Sequence, residues 1–529
     1  MIYMSPTNHT KNSCSFRALL FLAIYSTATA LLALPSISDA GEFVFVPNMT
    51  TDLIFTDNVR LAPKGDPARE ADFVTRLVPG IYAKYTSRRF QSEIDYRLIN
   101  VVFQSASEQN RTLHNLDAKN RAELVEDFLF VDANVRMQQI NRSLLGPQGD
   151  DVNLTGNLSN IRQYSLSPHV RRRFGDLATG EARYARIMTD SDASTTFFNS
   201  QTNSYTGSIL SGPAFQVLQW GLNYTRQDID FDLRNDSVRL ETGIANVRYN
   251  INKRFGITGT GGYENNTFGG GSQNRPKGAR WSAGFIWTPT PRTSIEGSAG
   301  QRFFGDTYYA NASHRTRLFV VNANYKEDIN SAWNLLNVDA TNNTVTALTD
   351  LFTAQAPPGT DPAEIAQLVQ LLILELGLPP NLANASAFLT NRFFLQKNFE
   401  SSIGFNAAKN TALIRVFHTT RRPIDNRPLL DAVLGGGLLA NVKQKGVNAL
   451  WSYAITPRTR VNANFLYNRL FFAAINRRDT IKLFSFSVSR DLTENIFALL
   501  SYRRNDRRSE DPNAEFIENR FTASVSARF

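Results

Sequence analysis

The chain has a single cysteine, Cys14, and it lies ahead of an apolar run, where no lipoprotein anchor can be made. Beyond residue 40 there is none, which excludes disulfides, thiolate metal sites and cysteine nucleophiles together. Long apolar runs are missing too. After Leu34 no segment offers about 18 unbroken apolar residues, so a membrane helix is excluded. If the chain crosses a membrane it must do so as a closed barrel, because only helices and barrels satisfy every backbone group in lipid. Histidine is scarce: His114, His169, His314 and His418 are scattered, without metal-ligand spacing, a nucleophile elbow or a zincin motif. No catalytic, metal or cofactor site is expected, and the chain reads as a non-enzyme. The acidic groups Asp150-Asp151 and Asp190-Ser191-Asp192 lack the spacing of a calcium loop and read as solvated loop acids. The distant alternative is a hydrolytic site at a barrel rim, with Asp or Glu beside His314 or His418.

What is present begins with an export signal. Lys11 and Arg17 precede the apolar run Ala18 to Leu34, and Ser38-Asp39-Ala40 supplies small residues for signal peptidase, placing cleavage between Ala40 and Gly41. No Arg-Arg pair precedes the run, so the general secretory route fits. The whole chain has 57 Lys+Arg against 47 Asp+Glu; losing Lys11, Arg17 and Asp39 leaves 55 against 46, a net +9. Much of this excess sits in Arg pairs read as turns: Arg88-Arg89, Arg171-Arg172-Arg173, Arg421-Arg422, Arg477-Arg478, Arg503-Arg504 and Arg507-Arg508. Export argues against nucleic acid as a partner. It leaves lipopolysaccharide phosphates, an anionic exopolysaccharide or solvated loop ends. Arg421, Arg422, Arg477, Arg478, Arg507 and Arg508 are the candidate anionic-glycan contacts.

From Gly41 onward a period-two pattern recurs, broken every ten to fifteen residues by turn residues. Phe73, Thr75, Leu77, Pro79, Ile81, Ala83 and Tyr85 alternate with Val74, Arg76, Val78, Gly80, Tyr82 and Lys84. The same alternation places Trp281, Ala283, Phe285 and Trp287 on one face, then Val461, Ala463 and Phe465, then Phe484, Phe486 and Val488. At the C-terminus Phe521, Ala523, Val525, Ala527 and Phe529 share a lipid-suited face opposite Arg520, Thr522, Ser524, Ser526 and Arg528. A chain ending so resembles the closing strand that bacterial outer-membrane barrels present to their assembly machinery. The expected fold is therefore all-β, a single transmembrane antiparallel β-barrel over 41–529 with about 16–20 strands.

Thr290-Pro291-Arg292-Thr293 and Thr456-Pro457-Arg458-Thr459 are near-copies between strand patterns, and Asp491 to Asn495 is a third short connection. If both Thr-Pro-Arg-Thr turns face the periplasm, an even number of strands must separate them. Five can be read, near 293–304, 315–328, 391–405, 410–422 and 443–455, so the count conflicts with the turns. The rhythm also fails over a long insertion, 331–390. There Ile365, Leu368, Val369, Leu372, Ile373 and Leu376 fall at helical spacing between Pro357-Pro358-Gly359 and Pro379-Pro380, predicting an amphipathic helix near 361–376.

Short motifs in order give a family resemblance. Leu53 to Val59, Asp72-Phe73-Val74-Thr75, Val78-Pro79-Gly80-Ile81, Gly262-Tyr263-Glu264, Trp281 to Pro289, Gly300 to Gly305 and Tyr325 to Asp328 together resemble the outer-membrane proteins associated with PEP-CTERM/exosortase systems. The resemblance implies a Gram-negative outer-membrane barrel tied to exopolysaccharide export or surface retention, porin-like or facilitating, with no catalytic residues to carry over. The alternative is a structural or adhesive barrel with a filled lumen that binds lipopolysaccharide or surface proteins. Expected partners are outer-membrane lipid and lipopolysaccharide and the barrel-assembly machinery.

Overall fold

The computed structural model describes residues 41–192, 199–232, 237–268, 276–331, 392–424 and 441–529. The leader, the helix expected near 361–376 and nearly all of the insertion 331–390 lie outside the described residues.

The described residues form 22 strands: β1 (Glu42–Thr56), β2 (Asp72–Thr86), β3 (Phe90–Phe103), β4 (Arg111–Val125), β5 (Leu129–Asn141), β6 (Leu158–Phe174), β7 (Ala178–Ser191), β8 (Ser200–Ser211), β9 (Leu218–Phe231), β10 (Ser237–Asn250), β11 (Phe255–Asn265), β12 (Lys277–Thr290), β13 (Thr293–Arg302), β14 (Gly305–Arg315), β15 (Phe319–Ser331), β16 (Phe393–Ala407), β17 (Asn410–Pro423), β18 (Val442–Thr456), β19 (Thr459–Phe472), β20 (Arg477–Asp491), β21 (Ile496–Ser509) and β22 (Phe516–Arg528). Each pairs antiparallel with its neighbours in sequence. Closure comes from β1 against β22, with Leu53 opposite Ala523 and Phe55 opposite Phe521. The sheet therefore has no free edge, and every strand lends its ladder groups to two neighbours.

The faces follow the period. Phe73, Trp281, Trp287, Phe465, Phe484, Phe486, Phe521 and Val525 point outward and stay exposed, as a lipid-facing surface requires. Arg520, Ser524, Asn462, Ser485 and Ser487 point inward and are buried. Register carries this pattern unbroken around the wall: Ala463, outward on β19, lies opposite both Trp451 and Phe486.

Two ends can be told apart. The end that holds Glu42 and Phe529 carries only short connections, none longer than the six residues 212–217. The opposite end carries 57–71, 142–157 and the long link from Ser331 to Phe393. Short periplasmic turns and longer external loops are the rule for such barrels, so the loop end is outside. Both Thr-Pro-Arg-Thr turns, β12–β13 and β18–β19, fall on the short-turn end.

The structure corrects the strand count to 22 and resolves the parity conflict, since six strands, β13 to β18, separate the two turns. The missing one is β14. Phe303 and Phe304, which read as strand-end aromatics, are instead the two-residue tip of a hairpin whose Arg302 faces Gly305. Gly305 adopts φ +113°, a conformation that L side chains rarely take, and that single residue lets the chain reverse without a polar loop to announce it. The placement of Arg pairs at turns is also corrected. Only Arg88-Arg89 lies in a connection; the others lie within strands, because strands here run from 10 residues (β13) to 17 (β6) and project past the membrane.

Candidate functional site

The connection between β5 and β6, residues 142–157, does not project away from the barrel. It folds inward and is fastened to the inner wall. Its sequence, Arg-Ser-Leu-Leu-Gly-Pro-Gln-Gly-Asp-Asp-Val-Asn-Leu-Thr-Gly-Asn, mixes turn formers with apolar residues. The turn formers shape the loop from within. Asn157 receives the Ser143 amide at 2.9 Å and donates to the carbonyls of Ser143 and Pro147, while Asp150 receives the Val152 amide at 3.1 Å.

The apolar residues anchor both of its ends. Leu144 is fully buried with Phe394, Val442, Leu470, Phe472 and Ile481, all on β16 and β18–β20. Val152 is fully buried with Ile54, Val59, Val74, Val101 and Phe103, on β1–β3 and the loop after β1. One loop thus touches wall segments on both sides of the β1–β22 closure, and each anchor removes a Leu or Val from water, worth about 1.5–3 kcal/mol.

Between the anchors runs a dense set of ion pairs. Arg520 of β22 makes a two-pronged contact with the Asp150 carboxylate at 2.8 and 3.0 Å, and Arg503 of β21 reaches it at 2.9 Å. Arg76 of β2 holds Asp151 at 2.8 and 3.0 Å and Asp52 of β1 at 2.7 Å. Arg111 of β4 donates to the carbonyls of Asp151 and Asn153. Asn153 completes the junction, accepting from Arg520 and donating to Glu518 at 3.0 Å each. Burial opposes the charge of Asp150, but the Arg520 and Arg503 guanidiniums outweigh it and hold its carboxyl well below the usual carboxylate range.

Farther along the same wall Arg507, with no exposed surface, donates to the carbonyls of Leu144, Leu145 and Gly146 and to Asp479, the last at 2.5 Å. Arg477 also binds Asp479, at 2.9 Å, and the Leu145 carbonyl at 2.8 Å. Guanidinium suits this work because its planar fork satisfies a carboxylate and several carbonyls at once.

The structure splits the candidate glycan contacts between the two faces of the wall. Arg421, Arg477 and Arg507 point inward and are buried, while Arg422, Arg478 and Arg508 point outward and are exposed. Arg421 lies over the Phe394 ring and donates to Gln396. The inner members of the other two pairs are structural ties of the loop. The reading of Asp150 and Asp151 as solvated acids is wrong, because the loop carries both carboxylates into the barrel against Arg520 and Arg76. Reading Arg503-Arg504 and Arg507-Arg508 as turns hid the inward side of Arg503 and Arg507; the sequence signal for the inward turn was the apolar Leu144, Leu145, Val152 and Leu154 flanking the acids. Gly41 adjoins β1, and Phe521, Ala523 and Val525 face outward on β22, with the Phe529 amide donating to Pro47. His314 bonds Thr293 at the short-turn end and His418 lies on the outer wall beside Thr420. Among the described residues no group of His, Cys, Asp or Glu could hold a metal ion.

Closed around a polar interior and wrapped in an apolar outer surface, this wall can reside only in a bilayer that admits barrels. The chain is an outer-membrane β-barrel. Solved barrels of like fold include the FrpB iron transporter of Neisseria meningitidis. Its F5-1 variant is 10% identical, with 91% of this chain and 82% of that one covered at a TM-score of 0.52. Its F3-3 variant is 11% identical over 91% and 81%, also at 0.52. At such identity the likeness concerns the fold alone. No protein-family model matches the chain, and no curated protein matches it.

Proposed function

We propose that the barrel is a loop-constricted channel or facilitator associated with exopolysaccharide export or surface retention and with a PEP-CTERM/exosortase system. The observation that carries the reading is loop 142–157, tied by Arg76, Arg503, Arg507 and Arg520 across the inner wall at the loop end. Barrels of 16–18 strands leave an aqueous channel, and 22-stranded outer-membrane transporters have a plugged lumen, so a barrel of this size needs internal obstruction to be selective. A loop held by ion pairs obstructs yet can be released by competing charge. The link to exopolysaccharide rests on the ordered motifs from Leu53 to Asp328, and the outward face of β22 suits it to recognition by the assembly machinery.

Conductance in planar bilayers tests the channel. The intact protein is expected to show small or infrequent openings, and D150N/D151N larger and more frequent ones. Silence from both, with surface exopolysaccharide unchanged on gene deletion, would sink the proposal. A second reading, a structural or adhesive barrel with a filled lumen, is favoured by one observation: inward Asn448, Asn462, Asn464 and Asn468 are each 1% exposed. That reading expects no conductance from either protein and loss of surface adhesion on deletion. Iron uptake, the role named for FrpB, has fold alone behind it, and growth of a deletion strain on limiting iron addresses it.

A further inference from the structure

The outer wall of β17–β21 at the loop end is dominated by cations. Lys443 and Lys445 on β18, Arg469 on β19, Arg478 and Lys482 on β20 and Arg508 on β21 all point outward and are exposed. Arg422 and Arg504 flank them. The register places Lys445 directly opposite Arg469, and Thr480 between Arg469 and Arg508. Like charges facing each other across a ladder are destabilising unless something neutralises them. Two carboxylates lie nearby: Asp506, directly opposite Lys482 and 3.8 Å from Arg508, and Glu510, which accepts the Arg478 amide at 3.0 Å. Among the described residues no ion pair reaches Lys443, Lys445, Arg469 or Lys482. The outward cations of β9 and β10 differ: Arg226 and Arg239 share Asp228 at 2.9 and 2.6 Å.

The height of these cations along the barrel is set by what lies below them. Toward the short-turn end the same outward positions become Val447, Ala449 and Trp451, then Phe465 and Ala463, then Phe484 and Phe486. A charge on the lipid face costs about 2–4 kcal/mol at the membrane midplane and about 0–1 kcal/mol near the interface. A row of unpaired cations just beyond the apolar band therefore belongs at the level of the outer-leaflet headgroups. We propose that this patch binds the phosphate groups of the outer leaflet's phosphorylated glycolipid, with Lys443, Lys445, Arg469 and Lys482 as its principal contacts. Phosphate meets ammonium and guanidinium donors by charge-assisted hydrogen bonds and relieves the Lys445–Arg469 repulsion. The adjoining Phe465 and Phe484 offer the acyl chains an apolar wall.

The test uses the full chain in phosphatidylcholine vesicles that contain fluorescent lipid A, either bisphosphorylated or with its phosphates removed, read by energy transfer from the protein's tryptophans. The intact protein should prefer the bisphosphorylated lipid by about tenfold or more. K443Q/K445Q/R469Q/K482Q should lose the preference and K443R/K445R/K482R keep it; R226Q/R239Q, which removes paired cations elsewhere, should leave it intact. If the fourfold variant does not fold, R469Q alone should lower the preference severalfold. Equal transfer to both lipids, an unchanged preference in the Gln variants, or displacement of the lipid by equimolar inorganic phosphate would each overturn the assignment.

Discussion

Arg507 shows what one side chain does in this barrel. It has no exposed surface, and its guanidinium joins Asp479 to three carbonyls of the inward loop. A buried pair of this kind is weak evidence for stability as a unit, yet removing one partner leaves an uncompensated charge. Arg507→Ala is therefore expected to destabilise the folded barrel by about 3–5 kcal/mol, read as the midpoint shift in urea unfolding from vesicles. Gly305 shows the same dependence on the backbone. Its φ of +113° makes Gly305→Ala cost about 1–3 kcal/mol in the same assay, whereas Gly259→Ala, on β11 with open space for a Cβ, costs less.

At the level of the element, loop 142–157 behaves as a latch with two apolar anchors and an ionic middle. Asp150 titrates lower in the folded barrel than in the unfolded chain, so its contribution is fully present above the usual carboxylate value of about 3.9 and is lost only as pH falls below that value and through the folded one. The latch should hold unchanged between about pH 5 and pH 8 and loosen only in stronger acid. A spin-label distance from a cysteine introduced at Gln148 to one at Ser526, followed across pH, checks this; loop release at pH 6 would contradict it. In D150N/D151N the same distance should broaden at every pH, since Arg76, Arg503 and Arg520 then keep only the wall carboxylates Asp52 and Glu518 and no longer draw the loop inward. Asp150-Asp151 was misread from sequence because two adjacent acids look alike whether water or arginine surrounds them, and the arginines that surround them lie up to 370 positions away.

For the whole molecule, closure and lipid exposure decide stability together. Leu500 points outward at 65% exposure, opposite Ala523 on one side and Val488 on the other, within the apolar band. Leu500→Arg is expected to cost about 2–4 kcal/mol of folding free energy in vesicles, and Leu499→Arg, pointing inward one residue away, should follow a different cost set by packing rather than lipid. Equal costs would argue against the assigned faces.

Period two in the sequence was enough to determine an all-β barrel, the outward face of β12, β19, β20 and β22, and the inward side of Arg520, because alternation is a local property that each strand writes for itself. The motif at Thr456 to Thr459 even exposed an error in the count. Tertiary structure alone decided that there are 22 strands, that Arg477 and Arg478 look through opposite faces of one wall, and that a polar-looking loop turns inward onto Arg76, Arg507 and Arg520. Those outcomes depend on contacts between residues hundreds of positions apart, whose electrostatic and packing energies leave no local pattern in the chain.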